Sequence, residues 1–132
     1  MVKQIFNYFD IAAKLTTSKN DNRAFLLGSV AVRNDGVLVT AINSPTEFPN
    51  RQVHSEYRIS KKIDHKATIY VVRVRLKDNQ FAMARPCLNC QKALICKKVH
   101  RVYYTISQIE WGYWNPSTGE DKIFTKKQGI LI

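Results

Sequence analysis

Apolar residues recur along the chain with two different spacings, and the changes between them divide it into elements. Near the N-terminus, Ile5, Phe6, Phe9, Ala12 and Ala13 fall near one face at helical spacing, which predicts an amphipathic helix. Phe25 to Val32 is apolar and partly β-branched, and Val37 to Ile42 has the same character after Asn34-Asp35-Gly36. Strand, tight turn and strand is the reading that this turn chemistry supports. Asn43 to Gln52, interrupted by Pro45 and Pro49, reads as a loop. Val53, Tyr57, Ser60 and Ile63 then share one side of a short helix spanning Val53 to His65. Thr68 to Leu76 is β-branched, alternates toward its end and predicts a strand. After a polar turn and Phe81 to Ala84, Pro86 opens a helix running to about Lys98, since proline suits the first helical turn. Arg101 to Ile106 is a further strand.

That order predicts an α/β sheet with right-handed crossovers at its helices. Beyond Ser107 the pattern leaves two outcomes open, a hairpin or a loop packed back on the sheet. At 132 residues the chain has room for one domain, taken as 1–132, and its 45% apolar content suffices for a core. No apolar run approaches the roughly 18 residues that cross a bilayer. Lys3, Asp10 and Lys14 interrupt the first segment, so it does not read as a signal peptide. Three cysteines, two of them in a Cys-x-x-Cys pair, argue against a secreted disulfide framework and fit a reducing, cytoplasmic setting.

Charge adds a partner. The formal net charge is +11, from 21 basic and 10 acidic residues, and a field of that sign attracts phosphate. A small basic protein can also be merely soluble and sticky, and charge alone does not separate the two. Membrane binding is not expected, because no basic stretch carries the apolar face it needs.

The chemistry concentrates in His54-Ser55-Glu56 and Pro86-Cys87-Leu88-Asn89-Cys90. A catalytic zinc takes three protein ligands and keeps one position for water, and one imidazole with two thiolates supplies that set. Cys87 and Cys90, three apart at a helix start, project to the same side. The positive end of the helix favours their ionised forms. His54 and Glu56 are two apart, about 200° around a helix, so both reach one point only from its first turn. Glu56 is then a base beside the bound water rather than a ligand. Taken singly, a histidine in a helix is ordinarily surface or core, and a Cys-x-x-Cys can be half of a structural zinc site or a redox pair. No second cysteine pair exists here to complete a four-cysteine site. Cys96 is out of phase with the pair and is expected in the core, and His65 and His100 on the surface.

His-x-Glu followed by Pro-Cys-x-x-Cys is the signature of the zinc deaminases. On these motifs the chain resembles the cytidine deaminase superfamily, in the branch holding deoxycytidylate, tRNA adenosine and APOBEC-like polynucleotide deaminases. The resemblance spans roughly Ala24 to Thr105 and implies a single-domain cytidine deaminase-like fold. That is a three-layer arrangement with a mixed β-sheet of four to five strands flanked by helices. It implies Zn2+ held by His54, Cys87 and Cys90, with Glu56 catalytic. Nucleoside cytidine deaminases usually begin the first motif with cysteine, so His54 argues against that branch. Asn43 matches an asparagine that contacts the bound nucleoside in the family, and is equally readable as a loop-opening residue. Ser55 joins it as a candidate substrate contact.

The run from Tyr103 to Pro116 is similar to the strand and aromatic loop that polynucleotide deaminases place beside the target base. Trp111 and Trp114 are accordingly expected to be exposed and to stack on substrate, while one of Tyr103 and Tyr104 faces the core. The expected reaction is cytosine to uracil in single-stranded nucleic acid. Free deoxycytidylate, tRNA adenosine and a non-catalytic zinc-stabilised nucleic-acid module are the alternatives. The expected partner is single-stranded nucleic acid or a pyrimidine nucleotide, with homo-oligomer assembly left open. The helix and fifth strand usual in relatives have little room here, which puts the sheet edge in doubt.

Overall fold

The computed structural model describes residues 2–14, 25–42, 59, 63, 66–75, 80–86 and 88–125. Its elements are α1 (Val2–Lys14), β1 (Phe25–Val32), β2 (Leu38–Ile42), β3 (Thr68–Arg75), β4 (Phe81–Ala82), α2 (Leu88–Cys96), β5 (Arg101–Thr105), β6 (Glu110–Trp114) and β7 (Asp121–Thr125). The strands form one sheet in the order β2-β1-β3-β5-β6-β7, with β4 beside β3. β3 and β5 run parallel, as a strand–helix–strand unit requires, and the other pairings are antiparallel. Helix, hairpin and the central strands thus follow the sequence pattern. The predicted helix over 53–65 lies outside the described residues apart from Ile59 and Ile63.

The turn between β1 and β2 forms as its chemistry dictates. Asp35 Oδ1 accepts from the Val37 N–H at 3.1 Å, and Gly36 takes a φ of 87° that side-chain-bearing residues resist. Seven strands exceed the four to five expected. β4 is only two residues long, too short to carry a period. Residues 110–125 form the β6–β7 hairpin. Its turn is built by Asn115, whose Oδ1 accepts from Ser117 N–H at 3.0 Å, and by Gly119 at φ 79°. The last strands therefore extend the sheet directly, without a helical crossover between them.

Alternation along the strands defines two faces. Val30, Tyr70, Val72, Val74, Tyr103 and Trp111 pack with Ile5, Phe6, Phe9 and Ala12 of α1. On the other face Ala31, Ala41, Ile69, Val71, Val102, Tyr104 and Trp114 pack with Leu94 of α2 and with Ile59 and Ile63. Because both faces are covered, β3 reads as a nearly continuous apolar run.

α2 ends in a Schellman motif. Val99 N–H donates to Leu94 O and Lys98 N–H to Ile95 O, while Val99 and Leu94 are buried in the same cluster. Lys98 takes φ 54° to make that turn, and Lys66 takes φ 65° before β3. A left-handed conformation costs an ordinary residue about 1–2 kcal/mol. Cys96 is exposed, not in the core as expected.

Candidate metal centre

Among the expected ligands, Cys90 is described, and His54 and Cys87 lie outside the described residues, as do Glu56, Ser55 and Asn43. Cys90 is 1% exposed and stands in the first turn of α2. Its place at a helix N-terminus suits a thiolate held as a ligand, since the helix dipole and a cation both favour the ionised form that burial alone would disfavour. Gln91 Nε2 donates to Pro86 O at 2.8 Å and ties that turn to the residue before the cysteine motif.

Ahead of the cysteine motif in the chain, the sheet forks. β3 pairs with β5 from Thr68 to Val71 and with β4 at Arg73 and Val74. Thr105, fully buried at the end of β5, fills the fork. Its Oγ1 donates to Ala82 O at 2.8 Å and accepts from Arg73 N–H at 3.3 Å, and its carbonyl accepts from Ala84 N–H at 2.9 Å. One side chain thus satisfies backbone groups that the divergence of two strands would leave unpaired. The segment it fixes, Ala82 to Ala84, leads straight into Pro86-Cys87.

A second clasp comes from the C-terminal hairpin. Arg85 pairs with one oxygen of Asp121, and Tyr104 Oη donates to the other at 2.8 Å. The Tyr104 ring reaches Asp121 by crossing Gly112, its partner on β6. A Cβ at position 112 would land inside that ring. Burial raises the Tyr104 pKa, and its bond to Asp121 raises it further, so the hydroxyl stays protonated and donates. Neither Thr105 nor this clasp is marked by a sequence motif. Arg85, directly before Pro86, was the available hint.

The segments that follow the two motifs meet in one layer. Ile59, three residues after Glu56, and Ile63 pack in the same buried cluster as Leu94 of α2. Ser29 also faces this layer, opposite Ala41 and Val71, fully buried with no hydrogen bond to its hydroxyl.

The tryptophan expectation is corrected. Trp111 and Trp114 are 6% and 5% exposed. Three residues apart on one strand, they face opposite sides of the sheet, and both sides are covered. Trp111 stacks on Phe124 with ring centroids 4.6 Å apart, on the face away from α2, and Trp114 lies in the cluster with Tyr104. The same cover buries Tyr103 and Tyr104 together, although one buried tyrosine was expected. His100 is exposed, as expected of it. Among the described residues, no helix is long and apolar enough to cross a membrane.

Comparison with protein families gives a match to the cytidine and deoxycytidylate deaminase zinc-binding region over residues 2–106. No curated protein matches the chain. The family match covers α1, the sheet as far as β5 and both motifs, and leaves the β6–β7 hairpin outside. The chain belongs to the cytidine and deoxycytidylate deaminase zinc-binding family.

Proposed function

We propose that the protein is a hydrolytic deaminase that converts cytosine to uracil and ammonia in single-stranded nucleic acid. The observation carrying this reading is the shared layer. The segments following His54-x-Glu56 and Cys87-x-x-Cys90 pack in one buried cluster, with Cys90 in the first turn of α2. His54, Cys87 and Cys90 form a donor set of one imidazole and two thiolates that fits zinc with a position left for water. Zinc bound there supplies Lewis-acid activation of that water near neutral pH. Glu56 would take one proton from water and deliver it to the ring nitrogen, then take the second from the new hydroxyl and deliver it to the departing amine. Asn43 and Ser55 hold the base and sugar in this reading.

The preference for a polymer rests on the net charge of +11. A second reading, free deoxycytidylate as substrate, is favoured by the burial of both tryptophans, which removes them as stacking platforms. Incubation with dCMP, cytidine, single-stranded DNA and RNA, followed by product analysis, separates the two. Uracil appearing in the polymer supports the first reading, and turnover of dCMP with intact oligonucleotides replaces it with the second. Glu56→Ala should fold, keep zinc and lose roughly 10²-fold or more in turnover. A variant retaining more than about a tenth of the activity removes Glu56 from the proton-carrying role.

A further inference from the structure

Among the described residues, the non-glycine positions with positive φ are both lysines, Lys66 and Lys98, and they are neighbours. Lys66 N–H donates to Lys98 O at 2.9 Å, and His100 N–H donates to Ala67 O at 2.9 Å. These bonds join the turn after α2 to the start of β3, at the sheet end where β3 and β5 begin. The nine residues of α2 place this end about 14 Å from the cysteine-bearing turn.

Lys66, Lys97, Lys98 and His100 are all exposed there. Arg101 follows, its guanidinium 5.9 Å from the ring centre of Tyr113. The turns carrying Asp35 and Glu120 lie at the same end by strand register, but both carboxylates are engaged, with Arg33 and Lys122. Among the described residues, no ion pair engages Lys66, Lys97 or Lys98.

Glycine or asparagine would make either left-handed turn with less strain. A lysine in both places accepts strain and sets two ammonium groups on adjoining turns. Backbone strain of this kind concentrates where a ligand is held. We propose that this end of the sheet is a binding site for the phosphate backbone of single-stranded nucleic acid, separate from the metal centre. Cations beside an aromatic ring suit phosphates with a stacked base. The inference depends on the polynucleotide reading only for its choice of a single-stranded polymer.

The test is fluorescence anisotropy with the full chain and a labelled oligothymidylate, which contains no cytosine to deaminate. Lys66→Gly/Lys98→Gly should bind roughly tenfold more weakly at 0.1 M salt. Its log-affinity against log-salt slope should fall by about 1.4, for two lost single-strand contacts. Its melting temperature should hold or rise, because glycine relieves both turns. Lys66→Asn/Lys98→Asn, which tolerates the same backbone, should lose binding equally and guards against misfolding of the glycine pair. Lys14→Gln/Lys92→Gln removes equal charge elsewhere and should retain most of the affinity. Wild-type affinity and slope in the glycine and asparagine pairs would overturn the site. So would an equal loss in the control pair, or capture by phosphatidylserine vesicles with no oligonucleotide binding. Turnover of dCMP and of cytosine-containing single-stranded DNA and RNA on the same preparations keeps the questions apart. Lost oligonucleotide binding without any turnover in the wild type keeps this site and removes the deaminase reading.

Discussion

The two faces of the sheet are packed on different plans. The α1 face is aromatic, with Phe6, Phe9, Tyr70, Tyr103 and Trp111 filling its cluster. The α2 face is built largely from small and branched side chains, with Ala31, Ala41, Ala67, Ala84, Val71 and Val102 around one large pair, Tyr104 and Trp114. Large rings maximise buried apolar area and serve stability. Short side chains let a helix sit close to a sheet, which suits a face where the segments after the two motifs pack together. The difference teaches that apolar area and close helix packing are assigned largely to opposite sides of one sheet.

The heaviest blow to stability should fall on the aromatic side. Phe9 is fully buried against Phe6, Tyr70 and Phe81. Phe9→Ala should cost about 3–5 kcal/mol by chemical denaturation, with zinc content of the remaining folded protein unchanged. Loss of zinc in step with that change would break the division between the faces. On the other side, Gly112→Ala puts a methyl group inside the Tyr104 ring. It should cost about 3 kcal/mol and also weaken zinc retention, because Tyr104 and Asp121 hold Arg85 beside the cysteine motif. Unfolding curves and metal analysis of the same sample read both effects.

Much of this architecture was legible before any coordinates. The helical spacing of Ile5, Phe6, Phe9 and Ala12, the Asn-Asp-Gly turn and the β-branched run after Thr68 each carry a local signal strong enough to specify an element. His54-x-Glu56 and Pro86-Cys87-x-x-Cys90, taken together, likewise point to a metal site through the resemblance they carry. The end of the chain was harder to read, because Trp111 to Trp114 is apolar on both faces and shows no period. Exposure of the tryptophans was misjudged for the same reason, since cover on both sides is a tertiary property. Tyr104, Gly112, Asp121 and Arg85 are too far apart in sequence for local reasoning to join them. Ligand positions within 43–58 and at Cys87 lie outside the described residues.

A milder contrast comes from raising pH. Burial, then the neighbouring Tyr103 and Tyr8, push Tyr70 up to about 12. Its ordinary value in an unfolded chain is about 10. A folded pKa above the unfolded one contributes stability that is complete below pH 10 and lost as pH rises through about 12. Stability measured by denaturant should therefore decline across that window together with the appearance of tyrosinate absorbance. Tyr70→Phe should flatten the decline. An equal decline in that variant would assign it to another group.

The smallest effect should come from Ser29. Its hydroxyl is buried among apolar neighbours with no hydrogen bond, so Ser29→Ala should leave stability unchanged or raise it by up to about 1 kcal/mol. A clear loss of stability in a thermal melt would show that the hydroxyl is satisfied in solution.

The central claim is that three side chains from two segments of this fold hold one zinc. Elemental analysis of protein purified without chelator, compared with Cys87→Ser/Cys90→Ser, tests it most directly. The account predicts about one zinc per chain in the wild type, and neither zinc nor deamination in the folded double variant. Undiminished zinc in that variant, or full activity in metal-free wild-type protein, would contradict it.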